Sequence, residues 1–142
     1  MLRRSPRVLL IDDNKHGLIV RRTLLEEQGY AVGTATNGIE GLEKFDEEVF
    51  DVVVTDYRMP KINGRKVLEA IRTRNPCVPI VILSGYAKKL GLTRKGTGAN
   101  AVLSKGPSEG PDLIRTIATL LGKKRPYRER AQIQKSPRSR AG

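Results

Sequence analysis

Five polar residues stand at the ends of short apolar runs, and together their types could carry out phosphoryl chemistry. Asp12 and Asp13 follow VLLI, Asp56 follows VVVT, Ser84 follows IVIL and Lys105 follows AVLS. A carboxylate is a competent nucleophile toward phosphorus. An ammonium group and a hydroxyl can neutralise or hydrogen-bond the equatorial oxygens of the transferring group. Asp56 is the candidate phosphoryl acceptor, with Ser84 and Lys105 assisting and Asp12 and Asp13 as candidate metal ligands. Gathering three carboxylates has a cost, since two like charges ~5 Å apart repel by about 3 kcal/mol at an effective dielectric near 20. A hard divalent ion offsets it, and Mg²⁺ takes one or two carboxylates together with waters and phosphate oxygens. Lys105 supplies a second, fixed positive charge.

Those residues converge only if the elements that carry them are neighbours. Short β-branched runs alternate with longer segments of helical apolar spacing, the pattern of a parallel sheet covered by helices on both faces. Five strands are expected, at residues 7–11, 30–35, 51–55, 79–83 and 101–104. VLLI, VVV and IVIL lack alternation, as strands buried on both faces should. Helices are expected over 14–28, 37–48 and 64–75, and a last one from Pro111. The second should bury Ile39, Leu42, Phe45 and Val49 as one stripe, and the last Leu113, Ile114, Ile117, Leu120 and Leu121. Between Tyr86 and Asn100, Gly91, Gly96 and Gly98 each cost about 1 kcal/mol against alanine in a helix, so that helix should be short or frayed. With strand order 2-1-3-4-5, the flavodoxin-like doubly wound arrangement, the first and third strands pair and the carboxylates share one crevice at their carboxyl ends.

The 142 residues, 38% of them hydrophobic, suit one domain of ordinary size. One folded domain over 1–122 and a basic, disordered tail over 123–142 are expected. The tail holds eight lysines or arginines against Glu129 alone, which is more than half of the net charge of +12. Such a tail could meet nucleic acid, an acidic partner or anionic lipid, or be a solvated extension. Cys77 is the single cysteine, so an intrachain disulfide or cysteine zinc site is excluded, which suits a reducing compartment; it reads as a small packing residue. No apolar run approaches the ~20 residues of a membrane span, and a soluble cytoplasmic protein is expected. His16, near a helix start without a second histidine or cysteine, reads as a surface residue.

Four fragments, VLLIDDN, VVVTDYRMPKINGRKVLEAI, PIVILSGYA and AVLSKGP, together resemble the receiver domain of two-component response regulators over residues 6–122. The resemblance implies that Asp56 is phosphorylated by a histidine kinase or phosphotransfer protein. It also implies that the Arg58 backbone carbonyl joins the metal ligands and that Met59, Pro60 and Gly64 shape the adjoining loop. Two positions depart from the family pattern. Gly106 separates Lys105 from Pro107, and Val102 stands where an aromatic switch residue is usual. The face carrying Lys88, Lys89, Arg94 and Lys95 has no acid, which points to an acidic downstream partner. Without its neighbours the Asp12–Asp13 pair would be an ordinary helix cap. The expectation is a stand-alone receiver, not an enzyme beyond its own phosphorylation and dephosphorylation. The rivals are a phosphatase of the haloacid-dehalogenase type, which normally has a second acid where Arg58 stands, and a tail-driven nucleic-acid binder.

Overall fold

Backbone groups buried on both sides must pair with other backbone, and the apolar runs do so as strands of one parallel sheet. The computed structural model describes residues 4–123. Its elements in chain order are β1 (Arg7–Ile11), α1 (Lys15–Glu27), β2 (Ala31–Ala35), α2 (Gly38–Glu47), β3 (Val52–Thr55), α3 (Gly64–Arg74), β4 (Ile80–Ser84), α4 (Arg94–Thr97), β5 (Ala101–Ser104) and α5 (Glu109–Lys123). The strand order is β2-β1-β3-β4-β5, all pairs parallel, with helices flanking the sheet. The tail from residue 124 onward, with its expected disorder, lies outside the described residues.

Strand alternation splits the core in two. Leu9, Ile11, Val53, Ile80 and Ile82 pack with Val67, Leu68 and Ile71 of α3. Val8, Leu10, Val52, Val54, Val81 and Leu83 pack with Leu18 and Leu25 of α1 and Leu113 and Ile117 of α5. Side-chain acceptors cap the helices: Asn14, Asn37 and Asn63 take the N–H groups of Gly17, Glu40 and Lys66, satisfying donors that helix starts leave free.

Three expectations are corrected. Ile39 and Val49 are exposed at 45% and 69%, while Phe50 is buried instead. The inner face of α2 is closed by Gly38 and Gly41 pressed against Ile62, Val67 and Ile11, with Leu42 and Phe45 half-buried beside them. The last helix starts at Glu109, two residues before Pro111, because its first turn contains acids that suit the positive end of the helix dipole. Cys77 is exposed, on the turn after α3. The glycine-rich fourth segment is short, as its glycines predict: it keeps a single helical turn, ended by Gly98 in the left-handed region at φ 82°.

Candidate functional site

The register between the two central strands decides which carboxylates meet. Val8 stands opposite Val52 and Ile11 opposite Thr55, so the next residue on each strand is an aspartate. Their backbones stay anchored there. Asp56 N–H donates to the Ile11 carbonyl at 2.9 Å, and Asp12 N–H donates to the Ala35 carbonyl at 3.1 Å. Both side chains are buried, Asp12 at 4% exposure and Asp56 at 9%, while Asp13 is exposed. One oxygen from each of Asp12, Asp13 and Asp56 lies within 4.8 Å of the others.

Lys105 closes the group. Its Nζ donates to Asp12 Oδ2 at 2.8 Å and to Asp56 Oδ2 at 3.2 Å. Its backbone N–H is held by the Ser84 carbonyl at 3.1 Å, so β5 delivers it beside β4 and the intervening Gly106 does not prevent the reach. Asp56 Oδ1 accepts the Tyr57 N–H at 2.7 Å, so each of its carboxylate oxygens has a donor.

Burial pushes the Asp56 carboxyl up and the Asp12 charge adds to this. Lys105 and the Tyr57 N–H pull the other way without cancelling, so its pKa is raised. Burial acts upward on Asp12 too, yet the Lys105 and Asn14 hydrogen bonds and the charges of Lys105 and Arg21 together outweigh it, and its pKa is lowered. Burial works against the Lys105 ammonium, but its two carboxylate partners prevail and its pKa is raised.

The remaining expected residues sit at varying distances from this centre. Ser84 ends β4 fully buried, and its hydroxyl oxygen accepts the Tyr86 N–H at 3.0 Å. Among the described residues it makes no hydrogen bond to the carboxylates, because it continues the Ile80–Ile82 side of the sheet while Asp56 continues the Val52–Val54 side. Arg58 is exposed, with its guanidinium 4.6 Å from the centre of the Tyr86 ring. Gly64 N–H donates to the Tyr57 carbonyl at 2.7 Å, and a Cβ at Gly64 would lie 2.3 Å from the Asp56 carbonyl oxygen, so only glycine fits there. Met59 is half-buried against the core beneath the loop. His16 is exposed.

The sequence reading missed two residues at this site. Arg21 on α1 is buried, donating from Nη1 to Asp12 Oδ2 at 3.0 Å and from Nε to Glu109 Oε2 at 2.6 Å. A signal was present, since Arg21 interrupts the buried stripe of Leu18 and Leu25 at helical spacing. An all-oxygen set with two carboxylates from adjacent strand ends and a third at the rim fits a hard divalent cation. Asp12 is the least available of the three, because its oxygens accept three protein donors, Arg21 among them, against two for Asp56.

Residues 8–118 match the family model of the response regulator receiver domain. A CheY-like response regulator receiver domain from Methanospirillum hungatei superposes with a TM-score of 0.78 at 29% identity, covering 85% of this chain and 97% of that one. The Thermotoga maritima response regulator TrrA, solved in complex with Mg²⁺ and BeF, gives a TM-score of 0.74 at 29% identity over 82% of this chain and all of that one. A CpxR homolog from Haemophilus influenzae, a transcriptional regulatory protein, is 36% identical over 119 residues, which are 81% of this chain and 50% of that protein. The transcriptional regulatory protein ZraR of Klebsiella oxytoca is 39% identical over 80 residues, 56% of this chain but only 18% of that protein. The chain thus spans a small part of several relatives it matches. It belongs to the response regulator receiver domain family, whose members are phosphoacceptors of two-component signalling systems.

Proposed function

We propose that Asp56 is the phosphoacceptor and that the chain relays a signal by its reversible, Mg²⁺-dependent phosphorylation. The observation that carries this reading is a buried carboxylate at a strand end, in register with a second carboxylate and bridged to it by one lysine. An Asp56 carboxylate oxygen forms the new O–P bond while the phosphoryl group leaves the imidazole nitrogen of a histidine kinase or phosphotransfer protein. Lys105 holds the Asp56 carboxylate in place beforehand and is positioned to meet the charge that the phosphoryl oxygens bring. The Ser84 oxygen is occupied by the Tyr86 N–H, which leaves the hydroxyl proton available to donate. Asp13, Asp56, the Arg58 backbone carbonyl and, where Arg21 releases it, Asp12 would hold a magnesium ion, which when bound supplies positive charge at the phosphoryl oxygens.

The test is incubation with magnesium and acetyl phosphate, or with beryllofluoride, read by intact mass and fluorine NMR. Wild type gains one adduct and Asp56→Asn gains none; an adduct of equal yield on both would refute the assignment. Absence of turnover on phosphate monoesters separates this reading from a haloacid-dehalogenase-type phosphatase, whose second acid would occupy the place of the exposed Arg58. We place the chain in the cytoplasm, where its single exposed thiol, Cys77, stays reduced. Among the described residues no helix is long and apolar enough to cross a membrane. Downstream, exposed Lys88, Lys89, Arg94 and Lys95 fit an acidic protein surface.

A further inference from the structure

Arg21 occupies a position that helix geometry reserves for an apolar side chain. It lies between Leu18 and Leu25 on the buried stripe of α1, and its side chain is only 10% exposed. Space for it comes from Gly17, one turn earlier, where a Cβ would stand 2.8 Å from Arg21 Nη1. The two residues form one device, with the guanidinium filling the volume that a side chain at Gly17 would take. The guanidinium stays charged at every pH the protein meets. It is divided between two carboxylates on different elements, Asp12 at 3.0 Å and Glu109 of α5 at 2.6 Å. Asp12 Oδ2 therefore accepts from both Arg21 and Lys105, and Asp12 Oδ1 accepts the Asn14 N–H at 2.9 Å. Any divalent cation that draws on Asp12 must share it with a permanent cation already hydrogen-bonded there.

We propose that Arg21 is a positioning residue that sets the metal affinity of the acidic pocket: it holds Asp12 in the metal-free protein and competes with the divalent ion for it. Glu109 is the second seat for the guanidinium. When Asp12 turns to the metal, Arg21 keeps its buried charge paired through Glu109, whose Oε1 also accepts the Gly106 N–H at 3.4 Å in the turn after Lys105. Metal occupancy is thereby linked to the loop that carries the active-site lysine. This inference rests on the magnesium reading of the site.

The experiment is calorimetric titration of the full chain with magnesium at fixed ionic strength, comparing wild type with Arg21→Gln, Arg21→Leu, Arg21→Lys and Glu109→Gln, each checked for folding by circular dichroism. Removing the charge in Arg21→Gln and Arg21→Leu is expected to tighten magnesium binding by at least about tenfold. Arg21→Lys should restore affinity to near wild type. Glu109→Gln, which leaves the guanidinium wholly to Asp12, should weaken binding several-fold. Arg22→Gln removes the next charge along the helix, an exposed one paired with Glu26, and should leave affinity unchanged. If Arg21→Leu does not fold, the Gln, Lys and Glu109 variants decide the matter. Equal affinities across wild type and the folded Arg21 variants, or weaker binding when the charge is removed, would overturn the role of Arg21 alone. Magnesium bound by none of the folded proteins would defeat the metal-dependent reading and this inference with it.

Discussion

Asp12 and Asp56 are chemically identical residues one step beyond paired strand positions, yet their environments drive them apart. Asp12 collects Lys105, Arg21 and the Asn14 N–H; Asp56 collects Lys105 and the Tyr57 N–H and bears the field of Asp12. Because folding raises the Asp56 pKa, its contribution to stability is full in acid and is lost as pH rises through that raised pKa. Asp12 runs the opposite way, with stability present above the ordinary carboxylate range and lost as pH falls through its lowered pKa. In chelator at neutral pH, Asp56→Asn should therefore stabilise the fold. A gain of about 1 kcal/mol, roughly 4 °C in Tm, is expected from relieving part of the carboxylate repulsion. The gain should shrink as pH falls through the raised Asp56 pKa, and a thermal melt series in EDTA measures it. Lys105→Met should destabilise the metal-free protein, since it leaves two buried carboxylates facing one another with less compensation, and added magnesium should restore much of the loss.

At the scale of elements, the strand ends supply the chemistry and the helix starts supply the constraint. Gly64 opens α3 directly against the backbone of Asp56, so Gly64→Ala must move the chain that carries the nucleophile. A loss of about 3 kcal/mol is expected in urea unfolding, together with slower beryllofluoride binding. Gly41→Ala in α2 offers a contrast. Its new Cβ would meet side-chain atoms of Ile11, from 2.5 Å, and no backbone, so the cost should be smaller than at Gly64. The fourth segment shows local chemistry prevailing: Gly91 and Gly98 adopt positive φ, and only Arg94–Thr97 remains helical.

For the whole molecule, the uneven surface charge is the feature that an association test can address. Around the single turn of α4, exposed Lys88, Lys89, Arg94 and Lys95 project from the segment between β4 and β5 without an acid among residues 85–107. Two copies meeting through that face would bring like charges together. Sedimentation of the beryllofluoride-activated protein at low salt should show a monomer, and a tight dimer through this face would contradict the reading. If the tail beyond residue 122 contacts nucleic acid, its deletion should lower retention on DNA at low salt and flatten the salt dependence. Unchanged retention assigns the basic tail no such role.

The order of elements, the parallel sheet and the strand-end positions of Asp12, Asp13, Asp56 and Lys105 were legible in the amino-acid sequence. Apolar runs and helix spacing are local signals, and parallel-sheet geometry carries strand ends to one edge. The exposure of Ile39 and Val49 was not legible, because Gly38 and Gly41 let α2 pack on its glycine face, and that depends on which helix side fits the sheet. Nor was the pairing of Arg21 with Asp12 and Glu109, residues nine and eighty-eight positions away. A charge on an apolar stripe announces a partner without naming it. Only the packing of α1 and α5 on the same side of the sheet, with Gly17 leaving the space between, selected these two carboxylates.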